Sequence, residues 1–267
     1  MIPASVFILT KNSAKTLRRA LESVKEFADI VICDGGSTDD TLAIVKEFGA
    51  LVYPQAGECL DPHGRIIDYA CARNACVAKT KYDWVVYIDS DEEMSPELRE
   101  EIRRIVESSN PTHFFWRIPA RIVVGEREVK YSSNYPGYQI RFFNKKTGAA
   151  FAKAIHERLR FDRARWSVGT LSGTWRYFVP SDPYALYSDF GSYFSVEAKR
   201  ASTMAFSTRL RLAFLAYFTA LKVVVKSLRN YLLHGFRDSM PVSHEWSRIK
   251  YQLLLARTFL TCRVPKV

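Results

Sequence analysis

Two periodicities divide the first hundred residues. Ala4-Ser5-Val6-Phe7-Ile8-Leu9-Thr10 is a short, nearly continuous apolar run, which reads as a buried strand. Leu17, Leu21, Val24 and Phe27 then recur at helical spacing, with Ser13 in the place of an N-cap. Ile30-Val31-Ile32-Cys33 predicts a second strand, and Leu42, Val45 and Phe48 a second helix closed by Gly49. Leu51-Val52-Tyr53 predicts a short third strand. Residues 54–64, with Pro54, Gly57, Pro62 and Gly64, read as a loop. A helix over about 65–79 precedes a strand at 84–88. Strand and helix alternate, which predicts the α/β class: a Rossmann-like, mostly parallel sheet with helices on both faces.

In such a sheet, ligands gather at the carboxyl ends of the strands. Three polar clusters fall at three such ends: Thr10-Lys11-Asn12, Asp34-Gly35-Gly36-Ser37 and Asp89-Ser90-Asp91. Gly35 and Gly36 permit a tight turn and close approach of a ligand; the alternative is an ordinary turn into a helix capped by Ser37 or Thr38. Asp89 and Asp91 lie on one side if the strand conformation persists. Two hard oxygen donors so placed suit Mg²⁺ or Mn²⁺. Their alternative role is an acidic lead-in to the helix that Ser95-Pro96-Glu97 announces. Neither a G-x-G-x-x-G nor a G-x-x-x-x-G-K-[ST] pattern occurs.

Residues 112–178 are less regular. Arg121 to Tyr131, with Gly125 in the middle, predicts a hairpin, and Tyr138 to Phe143 alternates like a strand pairing back onto the sheet edge. Arg117, Arg121 and Arg141 fit solvated positions of that alternation better than ligand contacts.

Charge changes the picture only in the last quarter. The chain has 267 residues and a net charge of +11. Residues 1–198 hold 26 Lys and Arg against 26 Asp and Glu, whereas residues 199–267 hold 13 against 2. In this tail Leu210, Phe214, Tyr217, Leu221 and Val225 share helical spacing with Lys222, Lys226 and Arg229 close by. Apolar and basic together, the tail is expected to lie on an anionic membrane surface; the alternative is a core-packing helix with a solvated basic face. The longest candidate membrane run, Leu212 to Leu221, has ten residues, about half of a span. The basic residues alternate with aliphatics rather than aromatics, which argues against nucleic acid as a partner. Five scattered cysteines without a C-x-x-C, and no basic region ahead of the apolar N-terminus, predict reduced thiols in a cytoplasmic protein.

Four pieces, Val6-Phe7-Ile8-Leu9-Thr10-Lys11-Asn12, Ile32 to Thr41, Ala72-Arg73-Asn74-Ala75 and Ile88-Asp89-Ser90-Asp91-Glu92, make the chain resemble the inverting family-2 glycosyltransferases of the GT-A fold, in order and in spacing. The resemblance implies a nucleotide-sugar donor, a UDP-sugar first among candidates. It implies that Thr10, Asn12, Asp34, Arg73 and Asp89 bind this donor, with Asp34 at the nucleobase and Asp89 at the ribose and diphosphate. It assigns Asp91 to the divalent metal, Mg²⁺ or Mn²⁺. Ile155-His156-Glu157 and Asn230 to Asp238 resemble elements of the lipopolysaccharide-core glucosyltransferase branch, with Ser239 where glycine is usual. That implies a saccharide or glycolipid acceptor, Glu157 as the base and His156 as a metal or phosphate neighbour. The expected organisation is a catalytic domain over 1–198, with a donor half to about 110 and an acceptor half over 111–198, followed by a basic helical region over 199–267. A nucleotidyltransferase is the enzyme alternative. It usually carries a Gly-rich, Lys/Arg-bearing loop after the first strand, where this chain reads Thr10-Lys11-Asn12-Ser13-Ala14.

Overall fold

The computed structural model of the protein describes residues 1–154, 157–183 and 190–265. The alternation expected of the first half is present: β1 (Ile2–Thr10), α1 (Ala14–Val24), β2 (Phe27–Asp34), α2 (Thr41–Glu47), β3 (Leu51–Pro54), α3 (Tyr69–Lys79) and β4 (Trp84–Tyr87). Next come β5 (Glu92–Met94), α4 (Pro96–Glu107), β6 (Phe115–Val124), β7 (Arg127–Val129), β8 (Gly137–Asn144), β9 (Ala150–Ala152), β10 (Arg158–Arg160), β11 (Val168–Thr170) and β12 (Trp175–Val179). Three helices follow: α5 (Phe190–Ser202), α6 (Phe206–Asp238) and α7 (Val242–Thr261). The chain forms two compact units, Met1–Ala120 with Gly137–Tyr177, and Arg121–Pro136 with Phe178–Val267.

In the first unit, β3, β2, β1 and β4 are parallel neighbours. β8 pairs antiparallel with β4, and β6 antiparallel with β8. The strand expected from Tyr138 to Phe143 does return to the sheet beside β4, and β6 then covers its other edge. Period two along β1 explains the two layers. Val6 and Ile8 face Leu17, Leu21 and Val24 of α1 and Leu98 and Ile102 of α4. Phe7 faces the other way, into a cluster with Val31, Cys76, Tyr87, Phe143 and Phe151. α4 starts as its sequence predicts, with Pro96 in the first turn and Ser95 Oγ accepting from the Leu98 amide at 3.2 Å.

Three local expectations need correction. α3 begins at Tyr69 rather than near 65, because Asp68 caps it, accepting from the Cys71 amide at 2.9 Å. β4 ends at Tyr87, and the Glu92 amide donates to the Asp89 carbonyl at 3.0 Å, closing a turn. The pleat therefore does not carry through to Asp91, and tertiary folding rather than strand alternation places the two aspartates. The thiols are not all reduced either. Cys33 is bonded to Cys76 and Cys59 to Cys71, with Cys262 free. α3 carries one partner of each bond, brought to partners 43 and 12 residues away, a proximity that Cys spacing does not reveal.

In the second unit the expected hairpin forms between the end of β6 and β7, turning at Gly125 (φ +62°). A Cβ there would meet Ser181 Oγ at 2.7 Å. α6 packs on α7 through small residues: Ala213 and Ala216 join Ala256 and Phe259 in a buried cluster. Helical geometry breaks at Gly235 (φ +73°, ψ 173°). The segment around it holds the unit together. His234 stacks on Tyr131 with ring centroids 3.6 Å apart, the Lys130 and Tyr131 amides donate to the Asp238 carbonyl at 3.0 Å, and Arg127 donates to the Arg237 carbonyl at 2.7 Å. Buried Glu245 accepts from the Ser133 amide at 2.8 Å and hydroxyl at 2.6 Å.

Candidate active site

Strand register brings the three polar clusters side by side. Thr10 lies opposite Asp34 and Phe7 opposite Tyr87, so β2, β1 and β4 end on one edge. Hydrogen bonds join the clusters. The Asn12 amide donates to Ser37 Oγ and the Thr38 amide to Asn12 Oδ1, both at 2.8 Å. Ser13 Oγ lies 3.0 Å from Ser90 Oγ. Ser13 makes no side-chain cap on α1, so its hydroxyl serves the site and not the helix. Asn12 adopts φ +50°, a left-handed conformation that asparagine tolerates better than most residues. Its side chain thus braces the neighbouring turn.

Asp34 is buried. Its Oδ2 accepts from the Gly36 and Ser37 amides at 2.9 and 2.8 Å, and its Oδ1 from the Ser37 hydroxyl. The Gly35 amide donates to the Thr10 carbonyl at 2.8 Å, and Gln55 Nε2 donates to the Thr10 and Cys33 carbonyls, each at 3.2 Å. A Cβ on Gly35 would come within 2.9 Å of Gln55 Oε1 and 3.1 Å of Lys11 Cδ, so a larger residue there would push these two side chains aside. Thr10 Oγ1 is buried without a hydrogen-bond partner among the described residues.

At the third strand end stands a charge network. Arg73, on α3, is 6% exposed. Its Nε donates to Glu157 Oε1 at 2.6 Å and its Nη2 to Asp89 Oδ1 at 2.9 Å. Arg141, on β8, is 3% exposed and forms a two-pronged pair with buried Glu92, while its Nη2 approaches Asp89 Oδ2 at 3.8 Å. Both guanidinium carbons sit over the Tyr87 ring, at 4.4 and 4.8 Å from its centroid, and Arg141 also stacks 3.6 Å from Trp175. Burial pushes the Asp89 carboxyl up, but Arg73 and then Arg141 outweigh it and hold the carboxyl below its ordinary value. Burial dominates at Glu92 and raises its carboxyl despite Arg141. Asp91 is raised too, first by loss of hydration and then by the charge of Asp89.

The expected solvated role of Arg141 is therefore wrong. β8 lies between β4 and β6, and Arg141 falls inside the folded unit, where only a paired charge is tolerated. Asn74 is a second residue whose role sequence reasoning passed over, although it stood in the Ala72-Arg73-Asn74-Ala75 piece. It donates to the Phe151 carbonyl at 3.0 Å and accepts from the Phe151 amide at 2.8 Å, tying α3 to β9. His156 lies outside the described residues.

The donor set fits a hard cation only with outside help. Asp89 has both oxygens near arginines, whereas the Asp91 carboxylate is exposed and carries no ion pair among the described residues. A single free carboxylate suits Mg²⁺ or Mn²⁺ when phosphate oxygens and water complete the shell. The clustered group Glu58, Cys59 and Cys71 contains a disulfide pair instead of free thiols.

Residues 5–175 match the sequence model of the family described as Glycosyl transferase family 2. A Rickettsia felis protein named as an uncharacterized glycosyltransferase is 34% identical over 154 residues, 57% of this chain and 51% of that protein. LpsC of Rhizobium meliloti, named as a lipopolysaccharide core biosynthesis glycosyltransferase, is 30% identical over 45% of this chain and 43% of its own length. The chain spans about half the length of the curated relatives it matches. Among solved structures, Staphylococcus aureus TarS 1–349 aligns with a TM-score of 0.45 and 14% identity, over 96% of this chain and 91% of that one.

Proposed function

Since the chain belongs to glycosyl transferase family 2, we propose that it transfers a sugar, with inversion, from a nucleotide-sugar donor to a hydroxyl of a saccharide or glycolipid. The carrying observation is the Asp89–Arg73–Glu157 network beside the unpaired Asp91 at the ends of parallel strands. A UDP-sugar is the first donor to test. Asp34 and its turn cradle the nucleoside, with Thr10 Oγ1 as an unused polar group beside it. Asp91 would hold Mg²⁺ or Mn²⁺, which neutralises charge developing on the leaving diphosphate. Glu157 takes the proton of the acceptor hydroxyl as its oxygen forms the new bond to the anomeric carbon. The bond to the diphosphate oxygen breaks in the same displacement, so no covalent sugar–enzyme species is required. His156 is assigned as a neighbour of the metal or phosphate.

The acceptor is proposed to be lipid-linked, of the lipopolysaccharide-core kind. The name of LpsC supports this, and so does the surface of α6. Leu210, Phe214, Tyr217, Leu221 and Val225 are all exposed, Phe214 by 68%. Arg211, Lys222 and Arg229 lie along the same helix. No helix among the described residues is long and apolar enough to cross a membrane. An interfacial helix on anionic lipid accounts for this combination, each basic residue near the surface adding about 1 kcal/mol. The test of the reaction is a screen of nucleotide sugars with Mn²⁺, reading free nucleotide release. Asp91→Asn should lower the rate by roughly 10³-fold, as expected where the metal contributes several kcal/mol. Full activity of Asp91→Asn in the presence of EDTA would sink the metal-dependent mechanism.

A further inference from the structure

Arg73 is unusual in how it spends its donors. One edge of the guanidinium serves two carboxylates from distant parts of the chain, Nε to Glu157 and Nη2 to Asp89. The remaining nitrogen, Nη1, is buried and has no hydrogen-bond partner among the described residues. Folded proteins rarely leave such a donor unmet, because burial removes its water without return. Glu157 is itself largely buried, with its side chain 15% exposed, and Arg73 is its ion-pair partner. Arg73 engages one oxygen of this carboxylate, Oε1, at 2.6 Å.

Resting on the glycosyltransferase reading, we propose that Arg73 is a donor-operated switch on Glu157. In the donor-free protein Arg73 holds Glu157. A nucleoside diphosphate presents several anionic oxygens that a planar guanidinium can bind bidentately, against the single Glu157 oxygen it holds here. These oxygens engage Nη1 and draw the guanidinium off Glu157, while Asp89, flanked on its other oxygen by Arg141, remains the pivot. Glu157 is then free to accept the acceptor proton. Asn74 limits the movement to the side chain, because it fixes the Phe151 backbone against α3. The device imposes an order: donor first, base second.

The switch makes Glu157 and the diphosphate competitors for one arginine, and competition has a sign. Neutralising Glu157 should strengthen diphosphate binding, whereas a purely structural Arg73–Glu157 pair would weaken it by leaving Arg73 unanchored. The experiment is calorimetric titration of UDP, GDP and ADP, each with Mn²⁺, into the wild-type protein, Glu157→Gln, Arg73→Gln and the double variant. For the nucleotide that binds, Glu157→Gln should bind about fivefold tighter or more, the scale of an ordinary coupling between sites. Arg73→Gln should bind more weakly, and adding Glu157→Gln to it should restore nothing, since the two changes act through one contact. If Arg73→Gln does not fold, Arg73→Lys takes its place: it keeps the charge but replaces the planar fork with a compact ammonium, so Glu157→Gln should bring a smaller gain than in the wild-type protein. Equal or weaker binding by Glu157→Gln overturns the switch and leaves the glycosyltransferase reading intact. So does an equal gain in the Arg73 background. Binding of none of the three nucleotides by the wild-type protein counts against both.

Discussion

α1 and α6 carry the same kind of pattern and resolve it in opposite ways. Each repeats large apolar residues at helical spacing. α1 turns its set inward: Leu17, Leu21 and Val24 are fully buried against the sheet. α6 turns its set outward and buries Ala213, Ala216, Ala220 and Val223 instead. The difference follows from what each helix meets. A sheet face offers room between its own large side chains, so Leu and Val interdigitate with Val6 and Ile8. A second helix offers closest approach where both surfaces are small, and α7 brings Ala256 to that seam. Apolar periodicity therefore signals a face, not its partner.

Charges repeat the contrast. Arg141 and Lys222 both stood among alternating apolar residues, yet Arg141 is sealed against Glu92 and Lys222 is exposed, with its amine over the Phe218 ring at 4.4 Å. The largest expected effect comes from breaking that buried pair. Arg141→Ala removes the partner of buried Glu92 and should cost about 3–5 kcal/mol, read as a shift of the urea midpoint. Lys222→Ala, by contrast, should move stability by no more than about 0.5 kcal/mol.

Next in size is the inward face of α1. Leu21→Ala removes a side chain with no exposure and should cost about 2–5 kcal/mol in the same measurement. A loss below about 1 kcal/mol would mean that the α1 face is not the packed one. The seam of α6 comes third. Ala216→Leu inserts bulk where two helices approach closely and should cost about 1–3 kcal/mol by overpacking. The smallest stability effect should come from Phe214→Ser with Leu221→Ser, within about 0.5 kcal/mol each, because neither side chain is buried. The same pair sharpens the comparison elsewhere: it should markedly reduce sedimentation with anionic vesicles. Unchanged vesicle binding, or a large loss of stability, would return α6 to the behaviour of α1.

The sequence alone determined the parts that depend on neighbours in the chain. The apolar runs of β1, β2 and β4 and their abrupt polar ends were legible because strands of this kind are short and continuous. So were the Ser95-Pro96 start of α4, the hairpin at Gly125 and the three polar clusters after β1, β2 and β4, strands that end on one edge as expected. Only the tertiary structure decided the rest. Arg141 looked solvated because period two shows that a residue alternates, not whether both faces of its strand are covered. Arg73 and Glu157 are 84 positions apart, and Cys33 and Cys76 are 43 apart. No local spacing encodes such meetings, since they arise when a helix docks on a sheet. The choice between the alanine and the phenylalanine face of α6 was likewise made by α7, because burial is a property of two surfaces and a sequence pattern describes only one.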